Sequence, residues 1–132
     1  MTDNINKIIM ARNTAYRNLD VYKESKKLVL EVYALIKKFP SEERFAMCDQ
    51  LRRSVTSVPS NIAEGFGRIS PKEQVHFIEI AYGSLMEVET QLDIAADLAY
   101  ISKTEFDNIS ETTIQNIAKM LSGLRSRRLN NQ

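Results

Sequence analysis

Seven apolar residues, Ile78, Ala81, Leu85, Val88, Leu92, Ala95 and Ala99, recur in alternating steps of three and four. That spacing lines up all seven on one side of an α-helix and would scatter them over both faces of a strand. The stretch opens on Ser70-Pro71-Lys72-Glu73, which places Ser at the N-cap, Pro at the first helical position and Glu at the third, a capping box. A helix this long must bury its stripe, and three more stripes of the same period are available to cover it.

The first lies between Val21 and Lys38, where Tyr22, Val29, Val32, Ile36 and Phe39 keep helical spacing and Leu28 and Leu35 widen the stripe. Asp20 is the expected N-cap, Lys37 and Lys38 suit the negative end of the helix dipole, and Pro40 stops the helix. Ser41 with Glu42 and Glu43 supplies a fresh start, and Cys48, Leu51, Val55, Val58 and Ile62 carry a second helix to about Glu64. Pro59 lies inside it and costs about 3 kcal/mol in a straight helix interior, so a kink eased by nearby Ser and Thr hydroxyls is expected. Gly65 and Gly67 end this helix. After the third, Ser102 and Glu105 repeat the capping box, and Phe106, Ile109, Thr113, Ile117, Met120 and Leu124 mark a fourth.

With only four Gly and three Pro in 132 residues, turns are scarce and the helices long. Links of a few residues cannot cross the length of a helix, so sequence neighbours must run antiparallel. The expected architecture is all-α: an up-down-up-down four-helix bundle over residues 19–128, an N-terminal tail or docking arm over 1–18, and a short C-terminal tail over 129–132. The hydrophobic share of 43% beside 27% charged residues is that of a globular protein. One cysteine and no apolar run of membrane length point to a cytoplasmic protein without a signal segment or membrane span.

Catalytic and metal chemistry finds little to work with. Glu73 and His76 have the Glu-x-x-His spacing of half a di-iron site, but His76 is the single histidine, so the second half is missing. Cys48 lies on an apolar seam, where a small core residue is the simpler reading than a nucleophile. Gly65-Phe66-Gly67 lacks the strand and the Lys-Ser/Thr pair of a phosphate loop. No cofactor, metal or catalytic residue is therefore expected.

Charge is more informative. The total is only +1, yet Arg44 to Lys72 holds five cations against two acids, and Glu73 to Ala99 holds six acids and no Lys or Arg. The simplest use of Arg52 and Arg53 is an ion-pair network with Glu79 and Glu87 across a hairpin. Beside the seam of the second helix runs a short polar stripe, Gln50, Ser54, Ser57, Asn61 and Glu64. It reads either as solvated surface or as the approach of a second subunit, with Ser54, Ser57, Asn61 and Glu64 as interface candidates. Lys119, Arg125, Arg127 and Arg128 suit a helix C-terminus whatever the function, and with Lys7, Arg12 and Arg17 they could add to a basic patch in an assembly.

The run Leu51-Arg52-Arg53-Ser54-Val55-Thr56-Ser57-Val58-Pro59-Ser60-Asn61-Ile62-Ala63-Glu64-Gly65-Phe66-Gly67-Arg68 resembles the signature of bacterial four-helix-bundle proteins encoded in 23S ribosomal RNA intervening sequences. Leu19-Asp20-Val21-Tyr22, Phe39-Pro40-Ser41-Glu42-Glu43-Arg44-Phe45 and Gly83-Ser84-Leu85-Met86-Glu87-Val88-Glu89-Thr90-Gln91-Leu92 agree with it. The resemblance spans about residues 19 to 124. It implies a left-handed antiparallel bundle that assembles into a ring, commonly a homopentamer, with no enzymatic activity and no catalytic role for Arg52, Arg53, Pro59, Asn61, Glu64, Gly65 or Arg68. A related accessory protein of diversity-generating retroelements binds a reverse transcriptase and nucleic acid. The expectation is thus a non-enzymatic oligomeric adaptor for RNA or a nucleic-acid-processing protein, with Arg52, Arg53, Arg68 and Lys72 as contacts. The alternative is a purely structural or protein-interaction module.

Overall fold

The computed structural model describes residues 3–6 and 15–130. Residues 7–14, and with them Lys7, Ile8, Ile9 and Arg12 of the expected tail, lie outside the described residues. Helix α1 spans Asp20–Ile36, α2 Met47–Phe66 and α3 Pro71–Asp97. A fourth rod is built from α4, Lys103–Ile109, a π-helical turn, Ser110–Ile114, and α5, Gln115–Asn130. No described helix is long and apolar enough to cross a membrane.

Side-chain pairs set the directions. Ser54 meets Gln91 and Ser57 meets Ser84, so α2 and α3 run antiparallel. Lys38 pairs with Glu105 while Glu31 meets Thr113, which opposes α1 to the fourth rod. Glu89 with Ser110 and Glu79 with Arg125 do the same for α3 and that rod. The four rods therefore form an all-α bundle in which the fourth returns to the first. Leu28, Leu51, Leu85, Leu92, Ile117 and Leu121 are wholly buried at its centre.

Several boundaries differ from expectation for local reasons. Leu19, in extended backbone, is the N-cap of α1, and Asp20 is the first helical residue, where its carboxylate still faces the positive end of the dipole. The segment after Pro40 begins as a 3-10 turn, Ser41–Glu43, and α2 starts only at Met47 because Ala46 leaves helical backbone. Helix α2 then continues through Pro59. The hydroxyls of Ser54 and Thr56 bond to carbonyls of the preceding turn, at Gln50 and Arg52. Of the two capping boxes, Ser102 and Glu105 make both reciprocal bonds, whereas Ser70 accepts from the Glu73 amide.

Ala99 is the clearest correction. It is exposed and lies beyond the end of α3 rather than on its seam. The Ala99 amide bonds to Ala96 and the Tyr100 amide to Ala95, a Schellman termination with Ala99 at φ 62°. Left-handed backbone costs a side-chain-bearing residue about 1 kcal/mol or more and costs glycine none. Ala99→Gly is expected to raise the unfolding free energy by about 0.5–1 kcal/mol, measured by denaturant titration; Ala99→Val is expected to lower it.

The fourth rod also changes phase. The π-helical turn inserts extra chain into one turn, so both Thr113 and Ile114 point inward and the buried stripe continues as Ile117 and Leu121. The expected Met120 is only half-buried.

Candidate nucleic-acid and partner surfaces

The arginines chosen from the sequence do not form one cluster. Arg52 Nη1 donates to Asp49 Oδ1 at 2.9 Å and to the Arg44 carbonyl at 3.4 Å, so it is held along its own helix rather than across to α3. Glu79 is approached instead by Arg125 Nε, at 3.7 Å, and Glu87 accepts from Gln91 Nε2 at 3.4 Å. The interhelix network expected for Arg52 and Arg53 is thereby replaced by a pairing within α2. Arg53 and Lys72 are exposed and make no ion pair among the described residues.

Arg68 is more elaborately held. Its guanidinium pairs with Glu64 and lies 4.8 Å from the centre of the Phe77 ring, and its carbonyl accepts from Gln74 Nε2 at 2.7 Å. These contacts latch the turn after α2 onto the first turns of α3. Gly65 makes the approach possible: a Cβ there would lie 2.9 Å from Phe77 Cβ.

The polar stripe of α2 turns toward α3. Ser54, 4% exposed, lies 3.0 Å from Gln91 Oε1, and Ser57 Oγ lies 2.8 Å from Ser84 Oγ. Asn61 Nδ2 donates to the Ser57 carbonyl and hydroxyl at 2.8 and 2.9 Å. Within one chain, Ser54 and Ser57 thus join two helices through small polar side chains, while Asn61 is half-buried and Glu64 exposed at the rim. Around this face several large apolar residues reach solvent, among them Phe45 at 82%, Ile69 at 80%, Ile94 and Leu98.

A basic surface that the sequence reading passed over lies on α1. Lys23, Lys26 and Lys27, with Lys37 just past the end of α1, are exposed, as is Asp20 at its start, whereas Glu24 and Glu31 are half-buried. Glu31 accepts from Thr113 at 2.7 Å, and one carboxylate oxygen of Glu24 is buried. The signal was available: Glu24 and Glu31 stand seven residues apart beside the seam, and the lysines occupy the opposite side.

The groups considered for chemistry are dispersed. Cys48 is 4% exposed, and burial pushes its thiol pKa up, which leaves little of the nucleophilic thiolate at neutral pH. His76 is exposed beside Phe77. Among the described residues no three His, Cys, Asp or Glu side chains converge as metal ligands. A small apolar cavity near Ile62, Gly65, Ile78 and Leu121, ≈20 Å³, has room for about one water.

No protein of curated function matches the chain. Among solved structures, the chain is similar to a protein of unknown function from the S23 ribosomal protein family of Bacteroides thetaiotaomicron, at 25% identity and a TM-score of 0.72. That match covers 80% of this chain and 97% of the other. The family model for the 23S rRNA-intervening sequence protein matches residues 17–123, nearly the whole bundle, and the chain belongs to that family.

Proposed function

We propose that this protein is a non-catalytic, self-assembling adaptor that binds RNA through its basic α1 and α2 surface and presents it to a nucleic-acid-processing protein, such as a reverse transcriptase. The observation that carries the reading is the partition of surface charge. Lys23, Lys26 and Lys27 of α1, Lys37 just beyond it and Arg53 of α2 are exposed, while α3 exposes Glu73, Glu79, Glu87, Asp93 and Asp97. A nearly neutral chain arranged in this way offers a polyanion one attractive side and one repulsive side. Arg53 is the direct contact on that surface, Arg52 and Arg68 support it from their pairs with Asp49 and Glu64, and Lys72 adds a single cation from the first turn of α3.

Self-assembly into a ring, a homopentamer by family resemblance, would use the α2 and α3 face. The support is the exposed apolar set Phe45, Ile94 and Leu98 at one end of that face, with half-buried Ser57 and Asn61 and exposed Glu64 further along α2. Sedimentation at micromolar concentration is expected to show a species near five times 15.1 kDa, and Ile94→Glu with Leu98→Glu is expected to dissociate it. A persistent monomer overturns the ring. For the RNA arm, affinity is expected to fall steeply with salt and to weaken in Arg53→Ala. No RNA retention at low salt would leave a protein-interaction module.

A further inference from the structure

We propose that the open trough between α1 and α2 is a site for single-stranded RNA or DNA, with tyrosine rings stacking on bases and flanking cations holding phosphates. The proposal rests on the RNA-binding reading above and names the surface and the form of nucleic acid.

The trough is ≈430 Å³, walled by Tyr22, Lys26 and Leu30 of α1 and by Thr56 and Ser60 of α2. Tyr16 lies at one end, and beyond it the groove widens past Ser60 and Gly67 toward Arg68, ≈630 Å³ more. Helical spacing extends both walls the other way: Tyr33 and Lys37 lie on the same side of α1 as Tyr22 and Lys26, and Arg53 on the same side of α2 as Thr56 and Ser60. Ala63 and Gly67 keep the floor low, so a flat ring can approach the backbone.

Charge along the trough has one sign. Its two rim carboxylates, Asp49 and Glu64, are each matched by an arginine of their own helix, Arg52 and Arg68. Arg17, Lys26, Lys37 and Arg53 make no ion pair among the described residues. Cations and rings also occur together: Arg17 lies 5.9 Å from the Tyr16 ring centre and Lys26 lies 5.6 Å from that of Tyr22. The two rings meet edge to face at 5.0 Å, and Tyr22 also packs against the apolar core, which fixes the pair at this end of the trough.

A positively charged groove that interleaves aromatic side chains is the arrangement that binds single strands with little sequence preference. A duplex keeps its bases stacked inside and offers these rings nothing to stack on. An acidic peptide would use the cations and leave the rings without a flat partner. Exposed Leu30 and half-buried Tyr22 accordingly serve base faces, and the Ser60 hydroxyl is placed to reach a sugar or phosphate.

The test uses the full chain and a fluorescein-labelled oligouridylate, with a blunt RNA duplex of equal length as comparison. Anisotropy is expected to show tighter binding of the single strand. Because the chain has five tyrosines and no tryptophan, tyrosine emission should be quenched on binding. Lys26→Glu and Arg53→Glu should each weaken binding about tenfold at moderate salt, and Tyr33→Ala about fivefold or more. Circular dichroism must show all three variants folded; Tyr33→Phe, which keeps the ring, should bind as the parent does. Equal affinity for the duplex overturns the proposal, as does competition by polyglutamate as effective as that by unlabelled oligouridylate. RNA binding that survives Lys26→Glu and Tyr33→Ala unchanged overturns the trough and leaves the broader RNA reading standing. Absence of RNA binding at low salt overturns both.

Discussion

Leu85→Ala is expected to lower the unfolding free energy by about 3–5 kcal/mol, the range seen when a leucine is removed from a rigid core and leaves a cavity. Leu85 sits at the middle of α3, wholly buried, and α3 packs against both α2 and the fourth rod. Its loss therefore opens space shared by three rods, and none of the three can collapse into it without disturbing the others. The measurement is chemical denaturation followed by circular dichroism, with thermal melting as a second reading. A drop of roughly 10 °C or more in melting temperature is expected from the size of the chain. Leu30→Ala, at a side chain 74% exposed, removes the same atoms from water and is expected to change stability by under about 0.5 kcal/mol. Similar losses at the two positions would contradict the burial that defines the core.

The contrast between these leucines was legible from spacing alone, because Leu85 falls on the three-four seam and Leu30 does not. The same rule located the buried side of α1, α2 and most of α3. It failed where backbone geometry, rather than side-chain type, decides. Ala99 continues the arithmetic of the seam, but the Schellman bonds at Ala96 and Ala95 have already turned the chain away. In the fourth rod the π-helical turn moves the buried position from Met120 to Leu121, and no residue type in Ser110–Ile114 announces such an insertion.

Site residues were less legible for a related reason. Sequence spacing shows which side of a helix a residue occupies and leaves open which partner lies there. Arg52 had Asp49 within reach on its own helix as well as acids across the hairpin, and the short path was taken. The stripe Ser54, Ser57 and Asn61 reads from sequence either as solvated surface or as the approach of a second subunit, and at Ser54 and Ser57 the neighbour is α3 of the same chain. Along α1 the lysines Lys23, Lys26 and Lys27 are interspersed with Asp20, Glu24 and Glu31, so the sequence shows no basic run there. Only packing reveals that Glu31 meets Thr113 of the fourth rod and that an oxygen of Glu24 is buried, leaving lysines to dominate the outward side.

Gly65→Ala is expected to destabilise the protein although it places a better helix former inside a helix. The new Cβ would lie 2.9 Å from Phe77 Cβ, an atom fixed to the backbone of α3, so relief requires the two helices to separate. Overpacking of this kind costs about 1–3 kcal/mol. The helix-propensity gain of alanine over glycine returns only about 1 kcal/mol, leaving a net loss of up to about 2 kcal/mol. The same displacement would pull Phe77 from beneath the Arg68 guanidinium and lengthen the Gln74 bond to the Arg68 carbonyl, loosening the latch at this end of the bundle. Gly67→Ala is the internal comparison. A Cβ there meets only the carbonyls of Glu64 and Ala63, at 3.6 and 3.8 Å, and the backbone has an ordinary negative φ of −77°. It is expected to be neutral or stabilising by up to about 0.5–1 kcal/mol, through the reduced freedom of the unfolded chain. Because the clash is with Cβ, Phe77→Ala leaves the offending atom in place and should not rescue Gly65→Ala. Full recovery in the double variant would show that the aromatic ring, rather than the closeness of the two backbones, sets the demand for glycine.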